Sequence, residues 1–457
     1  MTPDLGPLRS ALGRQGGGPF LMLNAQGDEP SGFLAVGARR SLTLRSPHPG
    51  GLDALEDFIS RSSIRTFGWI SYDPGVHALG SLDGNDQLHV NDPLDVKDVK
   101  DPLDGLPPAP IEFPAIHWME PEVLLKFEGL GPTARIETWA DGPSPWAELA
   151  RQAILHPIAG ATPPSIDPES AIDPRSEAEL ETGPPTRFHL NRAQYARAFE
   201  GVQGNIQRGD VYELNLCNTQ VGRTPVNEGR TFAAMMATTR PPYGAWIGFN
   251  DKAVLSASPE RFLGRRGDQL ISQPIKGTAP RWEDPEKDRL AAERLQSDPK
   301  ERSENIMITD LVRNDLSRIA QPSTVEVTEL CGIHSFQNVH QMVSTICCTV
   351  KPEMGLASIL RATFPMGSMT GAPKARAMEL ISSYEPGQRG LYSGALGWAD
   401  PGGDFDLSVV IRTALVDHRN QTFAVQTGGA ITVGARCESE WEETLLKART
   451  LLEALAP

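Results

Sequence analysis

The apolar residues of this chain come in short runs, each cut off by Gly, Pro, Asp or Asn, and this parcelling restricts the fold more than any other feature. Phe20–Leu23, Phe33–Val36, Leu42–Leu44 and Phe67–Asp73 are such runs in the first part of the chain, and Leu124, Leu125, Phe127 and Ile136 carry two more. Val211–Leu216, Ala245–Phe249, Ala253–Ser256 and Gln269–Ile275 continue the pattern. Apolar runs of this length bounded by turn formers read as strands joined by hairpins. Between them the period changes. Tyr195, Phe199, Val202 and Ile206 repeat at helical spacing behind Asn191, a good N-cap, and Gly209-Asp210 ends the helix. Phe232–Thr238, Pro299–Ile319, Ala357–Ala362, Ala372–Ser383 and Glu440–Leu455 are further helices, the last opened by Ser439-Glu440-Trp441-Glu442, which fits a capping box. The expected class is α+β, a mixed and largely antiparallel sheet arrangement with helices.

Such a fold needs a core, and 457 residues with 39% hydrophobic and 22% charged side chains can supply one. The formal net charge of -15 argues against a nucleic-acid or anionic membrane surface, because both require basic patches. The cysteines (Cys217, Cys331, Cys347, Cys348, Cys437) form neither a disulfide framework nor a zinc spacing, which points to a reducing cytoplasm. No apolar segment follows the first positive charges, so no secretory signal is expected. Leu330–Val350 is long and free of formal charge, but Gln337, Asn338, Gln341 and two histidines make it too polar to span a bilayer.

Composition also divides the chain. Residues 1 to 18, ending in Gly16-Gly17-Gly18, read as a loose lead-in, and 92–110 repeats Asp-Pro-Leu-Asp as a solvated insertion would. A stretch rich in Pro, Ser, Glu and Asp at 157–186 reads as the main linker. It separates an N-terminal lobe, 1–156, from a second unit, 187–457.

The chemistry-bearing residues lie in the second unit. Lys276 stands in Ser272-Gln273-Pro274-Ile275-Lys276-Gly277-Thr278, between a strand end and a turn; there it is either a partly desolvated neutral nucleophile or a surface lysine beside a turn. Glu260, in Ser258-Pro259-Glu260-Arg261-Phe262, is close enough in sequence for two neighbouring strands and a turn to bring it to Lys276. Glu301 and Glu304 share one helical face, as do Glu440 and Glu443. Facing each other these pairs would suit Mg2+, and apart they are solvated acidic faces. Thr370-Gly371-Ala372-Pro373-Lys374 is not a phosphate loop, because Ala-Pro-Lys follows the glycine where Lys-Ser/Thr is needed.

Taken together, these motifs resemble the chorismate-utilising enzyme family, over Leu190 to about Leu452. A Lys after Pro-Ile is similar to the aminodeoxychorismate synthase component I branch, whereas the anthranilate synthase component I branch has a small residue there. The resemblance implies an anthranilate synthase component I-like fold, with two lobes whose sheets pack face to face and helices outside. It implies that Lys276 is the nucleophile, Glu260 the proton donor to the departing hydroxyl, and His340 an active-site histidine near the enolpyruvyl group. Mg2+ is implied as cofactor, bound by Glu304 and Glu443 and supported through water by Glu301 and Glu440. Tyr392, Arg412, Lys447, Thr278, Thr370 and the backbone of Gly428 and Gly429 are implied to bind the substrate, chorismate. Glu213 stands where relatives carry Gln, or Lys when water is the nucleophile; Asn305 and Ala430 depart from the usual His and Gly. No cysteine lies in a Gly-rich strand-to-helix turn, so ammonia is expected from a glutamine amidotransferase subunit (component II) in a heterodimer. The remaining readings are another chorismate enzyme (anthranilate, isochorismate or salicylate synthase) and a catalytically silent subunit.

Overall fold

The computed structural model describes residues 2–12, 19–24, 31–45, 50–72, 109–140, 144–157 and 184–456. The insertion at 92–110 and the linker at 157–186 fall, apart from their ends, outside the described residues. Two antiparallel sheets organise the rest. The first runs Gly371–Ala372, Glu213–Arg223, Thr422–Thr432, Thr413–Asp417, Lys252–Ser258, Tyr243–Phe249, Phe20–Asn24, Ser31–Val36, Val123–Glu128 and Arg135–Ala140, with Thr186–Phe188 on the side of Glu213–Arg223. The second runs Ile275–Pro280, Val339–Thr349, Gln269–Gln273, Arg261–Arg266, Phe405–Val409, Ala395–Ala399, Thr66–Ile70, Ile116–Glu120 and Arg40–Leu44, with Glu326–Ser335 also on Val339–Thr349. Each sheet draws strands from both sides of the 157–186 stretch.

Alternation along the strands explains the layers, since successive side chains point to opposite faces. Phe20, Met22, Ala245 and Ile247 of the first sheet meet Phe67, Trp69, Leu396 and Trp398 of the second in one buried cluster, so the sheets pack face to face. The other face of the first sheet is covered by the helices Gly6–Leu12, Pro145–Leu155, Glu228–Thr239 and Cys437–Ala454. The other face of the second sheet is covered by Gly51–Ser60, Pro299–Ser317 and Leu356–Thr363. Two helical layers thus enclose two sheets, each burying one apolar face of its neighbour.

The local expectations are met where capping and period agree. Asn191 caps Arg192–Arg208 in a full capping box with Gln194, and Gly209 closes that helix in the left-handed region. Two expectations change and a third is met. The lead-in is partly ordered: Gly6–Leu12 is helical, with Leu5 and Leu8 fully buried and Arg9 paired with Glu228. The C-terminal helix begins at Cys437 behind Arg436 with no side-chain cap, so Ser439 lies inside its first turn rather than at its start. Leu330–Val350 falls largely within a hairpin of Glu326–Ser335 and Val339–Thr349, and among the described residues no helix is long and apolar enough to cross a membrane.

Candidate active site

The strands Glu213–Arg223, Thr422–Thr432 and Ile275–Pro280 and the helices Pro299–Ser317 and Cys437–Ala454 bring most of the expected residues together. Lys276 is reached through a turn of the chain: Arg261 pairs with Gln273 across neighbouring strands, which sets Glu260 beside Ile275, whose backbone N–H reaches its carboxylate. The 16-residue separation of Glu260 and Lys276 in sequence is closed in this way. Ser368, in the short helical turn Gly367–Met369, donates to Glu260 Oε1 at 2.7 Å. Glu260 is buried, and burial pushes its carboxyl up to about 7 although Ser368 and the Lys276 ammonium act the other way.

Lys276, open from sequence to either a neutral or a solvated reading, here lies against an acidic partner. Its Nζ donates to Glu213 Oε1 at 2.7 Å, and Glu213 is only 1% exposed. Burial alone lowers the ammonium's pKa, but Glu213, Glu304 and Glu260 around it outweigh that and hold it charged, well above its ordinary value. The second oxygen of Glu213 is buried without a hydrogen-bond partner among the described residues. Gly277, next to Lys276, has a φ of 84° and lies against Glu301 and Leu295, so a side chain there would be strained and crowded.

The two glutamate pairs face one another. Glu304 and Glu440 are buried, and among the described residues Glu304 Oε1 and Glu440 Oε2 have no hydrogen-bond partner. Burial pushes Glu304 up to about 7, with Glu213 and Glu301 adding to the rise. Burial raises Glu440 as well, and Glu443 across the helical turn adds to it. Burial likewise raises Glu301, to which Glu443 contributes. Glu443 is the exception, held below its usual value by Lys447, whose Nζ is 2.6 Å away. Gly429 lets the backbone pass this cluster: a Cβ there would lie 2.7 Å from Glu440 Oε2. Among the described residues no group of three His, Cys, Asp or Glu side chains is already gathered to hold a metal ion.

Cationic groups flank the acidic cluster. Lys447 Nζ also donates to the carbonyl of Gly428 at 2.7 Å. Arg412, half-buried and at a positive φ of 51°, donates from Nη1 to the Lys447 carbonyl at 3.3 Å. Burial depresses its pKa, which Glu443 and Tyr392 partly restore. The Tyr392 hydroxyl is buried against Cys217 Sγ at 3.8 Å.

Two expected residues have other hydrogen-bond partners, and a third is exposed. The ring nitrogens of His340 contact Ser335 Oγ at 2.8 Å and Asp288 Oδ1 at 3.0 Å, and Asp288 is in turn gripped by Arg281. Neither contact reaches Lys276 or Glu260. Thr370 is fully buried, its hydroxyl directed to the carbonyls of Met366 and Gly367. Thr278 is exposed on the edge strand Ile275–Pro280. Two residues were missed from sequence, Ser368 and Lys300. Lys300 Nζ lies 3.0 Å from Glu440 Oε1. Both sit beside segments already singled out, but a lone Ser or Lys carries no pattern that would mark it.

The chain is similar to several known proteins. Aminodeoxychorismate synthase component 1 of Klebsiella aerogenes is 38% identical over 269 residues, 59% of this chain and 59% of that protein. The Escherichia coli protein of the same name is 38% identical over 267 residues, 58% of each chain. Anthranilate synthase component 1 of Haloferax volcanii is 35% identical over 267 residues, 58% of this chain and 51% of its own. The chain thus spans less than two thirds of the length of these relatives. In fold it matches anthranilate synthase component I from Streptococcus pneumoniae with a TM-score of 0.70 at 23% identity, covering 95% of this chain and 92% of that one. The menaquinone-specific isochorismate synthase of Escherichia coli gives 0.67 at 20% identity, covering 98% and 91%. The fold is therefore of the anthranilate synthase component I type. Residues 96–453 match the chorismate binding enzyme family, and the chain belongs to it.

Proposed function

We propose that this chain is an aminodeoxychorismate synthase component I, aminating chorismate to 4-amino-4-deoxychorismate. The observation that carries the reading is one site holding a largely desolvated amine, Lys276, close to a buried carboxyl, Glu260, that keeps its proton near neutral pH. Relatives named for this activity support it.

Chorismate brings two carboxylates. Arg412, with a single hydrogen bond among the described residues, and Lys447 supply positive charge for them. Glu304 and Glu443, with Glu301 and Glu440, would hold Mg2+: the unpartnered buried oxygens of Glu304 and Glu440 and the carboxylates raised by burial call for a cation. When bound, the ion supplies double positive charge against a substrate carboxylate while keeping part of its water.

Lys276 acts after passing a proton to Glu213, 2.7 Å from its Nζ, and takes that proton back once the amine is released. Its nitrogen forms a bond to ring carbon 2, the ring double bonds shift, and the bond from carbon 4 to its hydroxyl breaks. Glu260 donates the proton, so the hydroxyl leaves as water rather than hydroxide. Ammonia then bonds to carbon 4, the double bonds shift back and the bond to Lys276 breaks, restoring the amine. The surplus proton on the new amino nitrogen returns to Glu260. The enolpyruvyl ether is untouched throughout. A separate amidotransferase subunit supplies the ammonia, and the product leads to para-aminobenzoate and folate; the free cysteines accord with a reducing cytoplasm.

The test withholds ammonia. Intact-protein mass spectrometry after incubation with chorismate and Mg2+ is expected to find chorismate less water on Lys276, and Lys276→Ala to lose it. Near wild-type product formation by Lys276→Ala would sink the nucleophile assignment.

A further inference from the structure

Lys300 has no part in the mechanism above, yet it stands among the acidic side chains. It lies in the first turn of Pro299–Ser317, the helix that carries Glu301 and Glu304. Its Nζ is 3.0 Å from Glu440 Oε1 and 3.8 Å from Glu304 Oε1, so one ammonium bridges the two helices that carry the glutamates. Glu443 also acts on it electrostatically.

An ammonium and a divalent cation have charges of the same sign and seek the same oxygen lone pairs, so both cannot take Glu440 and Glu304 at full strength. Their mobilities differ. The Lys300 side chain is 40% exposed and hangs on a flexible stem, whereas Glu440 is 1% exposed and fixed. The lysine is the partner that can withdraw to solvent. Without any cation, several partly buried carboxylates at close quarters would repel one another and splay the two helices.

We infer that Lys300 is a resident counter-cation: it holds Glu440 and Glu304 in place while the metal is absent and yields them when a divalent cation arrives. The inference rests on reading the cluster as a Mg2+ site, and it adds that the chain itself competes with the metal. Lys300 keeps the site assembled and at the same time weakens its hold on the ion.

Isothermal titration calorimetry with Mg2+, without chorismate, compares wild type with Lys300→Met, which keeps most of the side chain's reach without its charge. The variant is expected to bind Mg2+ roughly three- to tenfold more tightly, the scale set by one partly exposed ion pair. Thermal unfolding gives a second readout independent of turnover. In EDTA the variant should melt below wild type, and saturating Mg2+ should close the gap. Equal or weaker Mg2+ binding by Lys300→Met, with wild type still binding, would overturn the counter-cation role and leave the metal site standing. No binding by either protein would overturn the metal reading and this inference with it.

Discussion

Glu260→Gln separates the proton-donor role of Glu260 from its cost to stability, because the two effects have opposite signs. Glu260 is 5% exposed, and burial raises its carboxyl from the ordinary 4.5 to about 7. A raised folded-state pKa means that the folded protein binds this proton more tightly than the unfolded chain does. The resulting stability is fully present below about pH 4.5 and is lost as pH rises through about 7. At about 1.36 kcal/mol per pH unit, the loss across that window is roughly 3 kcal/mol. Glutamine preserves the shape and the acceptor for Ser368 Oγ but does not ionise. Above pH 8 the variant should therefore be more stable than wild type by about 3 kcal/mol, and the difference should shrink towards pH 5. With about 2.1 cal/mol/K of unfolding entropy per residue over 457 residues, that is about 3 °C in melting temperature. Thermal unfolding in EDTA between pH 5 and 8.5 measures it. The same variant lacks the proton for the departing hydroxyl, so product formation should fall by about 10² or more. A stability difference that does not change with pH, or wild-type turnover by Glu260→Gln, would refute the reasoning.

Glu213→Gln removes the carboxylate 2.7 Å from Lys276 Nζ, so Lys276 should lose its proton at lower pH, and formation of the ammonia-free adduct should shift downward in pH by more than one unit; an unchanged profile would show that the pair does not govern the amine. Arg412→Met should raise the KM for chorismate by about ten- to a hundredfold, the weight of a charged hydrogen bond, with little change in melting temperature; an unaltered KM would remove Arg412 from the substrate site. Free glutamine should be inert with the purified chain while ammonium salts support turnover, because burial pushes Cys217 up to about 12 and Cys348 up to about 11, away from a reactive thiolate; glutamine-dependent product would disprove this.

Short-range physics explains which features the sequence settled. Alternation and turn residues gave the strands, and the cap at Asn191 gave the start of a helix, because each depends on neighbours a few residues apart. The helical spacing of Glu301 with Glu304 and of Glu440 with Glu443 fixed which carboxylates share a face. The motif around Lys276 singled out that lysine through resemblance. The charge state of that lysine could not be read in the same way: Glu213, on a strand of the other sheet, sits against it and keeps the ammonium charged. His340 could be named from its motif, but only tertiary packing directs its ring to Ser335 and Asp288, and only packing turns the Thr370 hydroxyl onto its own turn. Lys300 carries no local signature, since its importance comes entirely from Glu440 on another helix. Protonation, desolvation and pairing depend on groups far apart in sequence, and a pattern within one segment does not encode what the opposite sheet or helix will place beside it.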